Sequence, residues 1–129
     1  MKTLLFSVLT TYMGAAMPAE IVCPLTAHGA ELVGAGVQAG PLEFTGTLKG
    51  ETIPIKPNDK NLDEGYRDVY DHLNAIASPE RWIACVYRLG KQSFTMTKRL
   101  PYDVMKCTVT YGKDKTLQQK YVVTAIECK

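Results

Sequence analysis

The sequence predicts an α+β, mainly β domain with an antiparallel meander of about five strands and a looser N-terminal section. Three observations support this fold class. The 129-residue length suits one domain. The second half contains four short segments rich in β-branched and aromatic residues. The four cysteines of this small chain suggest a disulfide-braced fold.

The N-terminus has the pattern of an export signal. Lys2 provides a positive charge, residues 4–13 form a short apolar run, and small residues follow at 14–16. The alternative is a buried N-terminal strand or helix. The run is too short to span a bilayer, which needs about 20 residues. We therefore expect a cleavable signal over residues 1–19 and a single domain over residues 20–129.

The expected cleavage point lies after Ala16 or after Ala19. Cys23 lacks the sequence context of a lipoprotein cysteine, because Ala19, Glu20, Ile21 and Val22 precede it. We therefore expect a periplasmic or secreted protein without a membrane anchor.

The first half of the domain gives weaker structural signals. Leu32–Gln38 reads as a strand interrupted by glycines, and Gly40-Pro41 marks a turn. Leu42–Leu48 fits a short helix or an edge strand. The prolines around Ile55 suit an extended edge segment, because proline cannot donate to a sheet ladder. Arg67–Leu73 fits either helical spacing or a strand that leads the meander.

The second half gives the clearest strand pattern. The expected strands alternate apolar and polar residues or form a short buried run. A turn at Gly90 joins the first two into a hairpin, and a polar loop over 112–118 precedes the last. The four strands are Arg81–Arg88, Ser93–Arg99, Lys106–Tyr111 and Lys120–Cys128.

The cysteines are expected to form disulfides, because the periplasm is oxidising. A zinc site is the alternative, but no two cysteines here lie within 20 residues of each other, as paired zinc ligands usually do. Four cysteines allow three pairings, and the sequence alone does not choose among them. The four are Cys23, Cys85, Cys107 and Cys128.

Several segments, in order along the chain, resemble a family of small, uncharacterised, four-cysteine exported proteins of Gram-negative bacteria. The segment from Trp82 to Tyr87 is the most specific of them. The resemblance implies the fold, the disulfides and export, and it implies that Arg67–Leu73 is a strand; it implies no activity. The matching segments are Cys23-Pro24, Leu32-Val33-Gly34, Gly40-Pro41, Trp82–Tyr87, Leu100-Pro101, Cys107-Thr108-Val109 and Ile126-Glu127-Cys128.

The inferred register of the last two strands favours one disulfide pairing. A hairpin across residues 112–118 would bring Cys107 near Cys128, which leaves Cys23 to pair with Cys85.

The charge is divided unevenly along a nearly neutral chain. Residues 20–80 carry 4 basic against 10 acidic residues, whereas residues 81–129 carry 10 against 3. Complementary packing of the two halves is one explanation, and a basic face for an acidic partner is the other. Nucleic acid is a poor candidate partner for an exported protein of this net charge.

Catalytic candidates are few. His28 and His72 lie in different segments, and Ser78 and Ser93 lack a nucleophile-elbow context. The acidic run over residues 59–71 could supply carboxylates to a small hydrolase, but it lacks the order of a calcium loop. We expect no cofactor and no metal site. The run contains Asp59, Asp63, Glu64, Asp68 and Asp71.

Exposed aromatic and basic residues form the best binding candidate. Trp82 and Tyr87 lie five residues apart in one strand and so face opposite sides, with Trp82 expected in the core. Tyr102 follows Pro101 in a loop, and aromatic and basic residues together are common in protein interfaces. The expected partner surface consists of Lys98, Arg99, Tyr102 and Lys106.

The sequence therefore favours a non-enzymatic binding protein of inhibitor or immunity type, whose partner is a toxin or a cell-wall enzyme. The alternatives are the small hydrolase and a structural envelope component. The oligomeric state is left open.

Overall fold

A computed structural model describes residues 23–41, 46–56, 64–76, 80–113 and 121–129. These residues form nine strands in two antiparallel sheets and one short 3-10 helix, Leu73–Ala75. One core cluster joins the two sheets.

Sheet A is formed mainly by strands from the beginning and the middle of the chain. Its order is β1-β2-β6-β7, and β3 also pairs with β2. The pairs are all antiparallel. Its strands are β1 (Thr26–Ala27), β2 (Ala30–Ala39), β3 (Gly46–Thr47), β6 (Arg81–Leu89) and β7 (Gln92–Arg99).

Sheet B contains the remaining four strands in the order β4-β5-β8-β9. Strand β4 lies at one edge and ends at a proline, as the prolines around Ile55 predicted. The strands are β4 (Glu51–Pro54), β5 (Tyr66–Tyr70), β8 (Cys107–Lys113) and β9 (Tyr121–Cys128).

The mainly β, antiparallel prediction is confirmed, and the structure corrects the arrangement as one meander. Strands β6 and β7 form the expected hairpin, and β8 pairs with β9, but the two pairs belong to different sheets. Strand β5 does not lead into β6; it pairs with β8 instead. The expected loose N-terminal section contains β2, the longest strand, which pairs with β6 along almost its whole length.

The core lies where the inward residues of β2, β6 and β8 meet. Alternation in β6 buries Ile83, Cys85 and Tyr87 on one face, because successive side chains of a strand point to opposite faces. Leu32 and Val37 of β2 are also fully buried. The glycines of β2 do not end the strand; a register shift between Leu32 and Gly34 accommodates them.

A tyrosine from sheet B satisfies backbone groups of sheet A. The Tyr111 hydroxyl accepts from the Ala35 N–H at 3.3 Å and donates to the Ala35 carbonyl oxygen at 3.2 Å. The ring of Tyr66 stacks on that of Tyr111, with 4.6 Å between centroids. Burial raises the pKa of Tyr111 above its usual value. Tyr111 therefore anchors β8 to β2.

Each sheet contains at least one cysteine of a disulfide. Cys85 of β6 is joined to Cys23, and Cys107 of β8 is joined to Cys128 of β9. These are the pairs that the inferred hairpin register favoured. Both Cys85 and Cys107 are fully buried.

Some expectations fall outside the described residues: the export signal over 1–19, part of the 42–48 segment, and the 112–118 loop beyond Lys113. In the part of the chain that the structure describes, no helix has the length and hydrophobicity needed to cross a membrane.

Replacing Tyr111 with phenylalanine should lower the free energy of unfolding by about 1–3 kcal/mol, because the buried Ala35 amide and carbonyl lose their partner. Urea denaturation measures the change. Tyr66→Phe is the matched control, since it keeps the ring stack and leaves the Ala35 bonds intact. A loss in Tyr111→Phe no larger than in Tyr66→Phe would contradict the anchoring role.

Removal of each disulfide by paired Cys→Ala substitution should destabilise the fold, and the bridge that closes the longer loop should cost more. The bridges close loops of 62 and 21 residues. The chain-entropy model gives losses of about 4 kcal/mol for Cys23–Cys85 and about 3 kcal/mol for Cys107–Cys128. Denaturant midpoints and slopes would test this order, and the reverse order would count against the model.

Candidate functional site

The 100–106 loop, which crosses from β7 in sheet A to β8 in sheet B, presents two apolar side chains to solvent. Tyr102 is 85% exposed and Met105 is 52% exposed. Leu100 and Val104 of the same loop are buried in the core. The loop therefore alternates between residues that fix it and residues that it displays.

Arg81 fixes the 100–106 loop by hydrogen bonds from the core side. Its side chain is only 3% exposed, because it lies on the core side of β6 with Ile83 and Cys85. Its Nη1 donates to the Val104 carbonyl oxygen and its Nη2 to the Pro101 carbonyl oxygen, each at 2.7 Å. Hydrogen bonds from a charged donor are worth about 1.5–3 kcal/mol each, so the guanidinium fixes the loop backbone on both sides of Tyr102.

The other end of the loop is hydrogen-bonded to Lys129. The Met105 and Lys106 N–H groups both donate to the Lys129 carbonyl oxygen, at 2.9 and 3.0 Å. The Leu73 N–H donates to the Met105 carbonyl oxygen at 2.9 Å. Tyr102 and Met105 are therefore displayed on a backbone that is hydrogen-bonded at both ends.

The basic residues of the expected surface flank this loop in different orientations. Lys98 pairs across the sheet with Ile83, so it lies on the core side of β7 and is half-buried. Arg99 pairs with Trp82 on the opposite face and is exposed. Lys106 follows the loop and is half-buried.

Trp82 positions Arg99. The guanidinium carbon of Arg99 lies 5.7 Å from the centroid of the indole ring, within the range of a cation–π contact. The Trp82 Nε1–H donates to the Gly40 carbonyl oxygen at 2.8 Å, which fixes the ring. The expectation that Trp82 belongs to the core is therefore wrong, because the alternation of β6 buries Tyr87 and turns Trp82 outward.

Sequence reasoning missed Arg81 and Met105. Arg81 could have been found, because it continues the inward alternation of Ile83, Cys85 and Tyr87, where a charged residue must have buried partners. Met105 has no comparable signal, because its exposure depends on the path of the loop.

The acidic run of the hydrolase hypothesis lies partly within the described residues. The three acidic residues of the run that the structure describes each have a separate neighbour: Glu64 binds Lys56, Asp68 accepts from the Thr52 hydroxyl, and Asp71 accepts from the His72 N–H. Asp59, Asp63 and Ser78 lie outside the described residues.

The histidines occupy turn positions. His28 lies in the β1–β2 turn, 6.3 Å from the ring of Phe94, and His72 precedes the 3-10 helix. Both have left-handed backbone conformations. Ser93 is exposed on β7. Among the described residues, no group of three or more His, Cys, Asp or Glu side chains could hold a metal ion.

A family model described as "Type VI secretion system Tli immunity protein" matches residues 30–129. No curated protein and no solved structure matches the chain significantly.

Replacing Arg81 with methionine should lower the free energy of unfolding by about 2–4 kcal/mol, because the Pro101 and Val104 carbonyls lose the guanidinium donors. The Pro101 carbonyl then keeps only the Val104 N–H, which donates to it at 3.1 Å. Arg81→Lys keeps the charge, but its single ammonium lacks the planar fork that reaches both carbonyls. We therefore expect an intermediate loss and faster amide exchange at Val104.

Arg88→Met, in the same strand but exposed, is the matched control and should change stability by less than about 0.5 kcal/mol. Denaturation and hydrogen exchange measure the two effects. Unchanged hydrogen exchange at the Val104 amide in Arg81→Lys would contradict the role of Arg81 in fixing the 100–106 loop.

Proposed function

The chain belongs to the type VI secretion system Tli immunity protein family, and from this we propose that it binds and blocks a toxin that a type VI secretion system delivers. The binding surface is the 100–106 loop together with the basic residues Lys98, Arg99 and Lys106. Blocking by binding needs no catalytic group in the immunity protein. This agrees with a site that consists of exposed side chains on a hydrogen-bonded loop.

The observation that carries the site assignment is a tyrosine that is 85% exposed on a backbone held by a buried arginine. Tyrosine and arginine are enriched among the residues that dominate interface energies, and tyrosine and methionine are enriched in interfaces generally. A loop already ordered in the free protein loses little conformational entropy on binding. Tyr102 and Met105 are thus suited to serve as anchors.

The basic flank adds electrostatic steering. Residues 81–129 carry 10 basic against 3 acidic residues, and an acidic partner surface would associate faster with such a region. Arg99 is already oriented by Trp82, so its guanidinium is available in a defined place.

We further propose that the protein acts in the periplasm. Both described disulfides need an oxidising compartment to persist, and residues 1–19 have the pattern of an export signal. A toxin delivered into the periplasm would meet its inhibitor there.

The toxin used in the test is identified by a protection assay in recipient cells. It is the type VI toxin that kills recipient cells lacking this protein and spares recipients that produce it. With that toxin purified, Tyr102→Ala should raise the Kd by about 10- to 100-fold, the range expected for an interface anchor. Titration calorimetry or surface plasmon resonance gives the Kd.

Ile53→Ala is the matched control, because Ile53 is 40% exposed but lies on β4 in sheet B; its Kd should stay within about threefold of wild type. Charge reversal at Arg99 or Lys106 should mainly slow association, and added salt should reduce the difference. Wild-type affinity in Tyr102→Ala, Arg99→Glu and Lys106→Glu would remove the site assignment.

A further inference from the structure

Strand β7 is a long edge strand whose protecting features are confined to its last two residues. In the described part of the chain it pairs only with β6, along all eight of its residues and without a register shift. It contains no proline, and its two charges are confined to its end at Lys98 and Arg99. By contrast, the β4 edge of sheet B is four residues long and ends at Pro54. Natural proteins protect long edges because an unpaired backbone binds other strands.

The turn between β6 and β7 defines which backbone groups face outward. Gly90 has a φ of 62°, as the first central residue of a type II′ turn does, and Leu89 pairs with Gln92 across it. That closing pair is hydrogen-bonded, and bonded pairs alternate along an antiparallel ladder.

The far end of the hairpin continues the same alternation of hydrogen-bonded pairs, because the Leu100 N–H donates to the Arg81 carbonyl oxygen at 2.8 Å. The residues between the bonded ones therefore direct their N–H and C=O groups away from β6. These residues are Ser93, Thr95, Thr97 and Arg99, and all four are exposed.

The charge of the hairpin selects the chemistry of what binds there. From Arg81 to Arg99 the sequence contains basic residues and no Asp or Glu. A second copy could pair with β7 symmetrically only in antiparallel orientation. That arrangement would bring Lys98 and Arg99 of one copy near Lys91 of the other, and like charges across a sheet are destabilising.

We propose that β7 binds an extended, acidic segment of the toxin as an added strand of sheet A. This inference rests on the proposed function and deepens it. Strand β7 runs directly into the 100–106 loop, so one toxin surface could contact both. The outward N–H and C=O groups of Thr95 and Thr97 bond the toxin backbone, and a carboxylate of the added strand faces Arg99.

The test uses the purified toxin with proline and valine variants of the immunity protein. Thr95→Pro and Thr97→Pro each remove one outward N–H without breaking a bond to β6, which is where strands tolerate proline. Each should raise the Kd at least about tenfold. Thr95→Val and Thr97→Val keep the N–H and a β-branched shape, so their Kd should stay within about threefold.

Hydrogen exchange of the wild-type protein provides a readout that needs no variant. The amides of Ser93, Thr95, Thr97 and Arg99 should exchange fast in the free protein and slowly in the complex. If one proline variant fails to fold, as thermal melting would show, the other variant and the wild-type exchange still decide.

The proposed acidic character of the toxin segment is tested with Arg88→Glu. Arg88 lies on the same face of sheet A as Arg99, at the end of the hairpin remote from the 100–106 loop. This substitution should raise the Kd at least about threefold in 0.05 M salt and less in 0.5 M salt.

The outcomes separate the two proposals. Tight wild-type binding that depends on Tyr102, with unprotected outward amides and unaffected proline variants, would overturn strand addition and leave the proposed function standing. Loss of affinity in the valine variants as well would overturn it in favour of side-chain recognition. Amide protection that grows with protein concentration without toxin would identify a second copy as the occupant and overturn the proposal. Absence of wild-type binding to the toxin would overturn both proposals.

Discussion

The buried guanidinium of Arg81 is the interaction on which the arrangement of this molecule depends. Burying a charge without partners would cost several kcal/mol, and here the partners are the Pro101 and Val104 carbonyls of the chain that crosses between the sheets. One side chain thereby fixes the end of β6 in sheet A to the entry of β8 in sheet B. It also supports the backbone that displays Tyr102. Stability and recognition share this single group.

The sequence predicted the strands well and their distribution between sheets poorly, and the reason is physical. Alternation and turn residues are local signals, so the β6–β7 hairpin and the strand at Cys107 could be identified. Whether the strand after β7 joins sheet A or sheet B depends on the path of residues 100–106. That path is set by the hydrogen bonds of Arg81 and Lys129, which are contacts distant in sequence and leave no periodic pattern. A single meander and two separate sheets are therefore equally compatible with the same strands.

The same contrast between local signals and contacts distant in sequence applies to the candidate site. Tyr102 was identifiable because a tyrosine between proline and aspartate in a loop has few ways to be buried, and the structure leaves it exposed. Trp82 was misassigned to the core, because the alternation of β6 buries Tyr87 and leaves Trp82 half-buried on the opposite face. The phase of a strand that is apolar on both faces is fixed by what packs on each face, and a single sequence does not contain that information.

Apart from Arg81, the side chains that hold the sheets together differ from those proposed for recognition. Tyr111 and Leu32 act deep in the core, where substitution removes packing or satisfied backbone bonds. The exposed side chains of β7 and the 100–106 loop contribute little to the core, and substitutions at such positions usually change stability by less than about 0.5 kcal/mol. Tyr102, Thr95 and Thr97 can therefore vary with little effect on folding, provided that Arg81 keeps the loop in place. An immunity protein built this way could follow changes in its toxin without losing its fold.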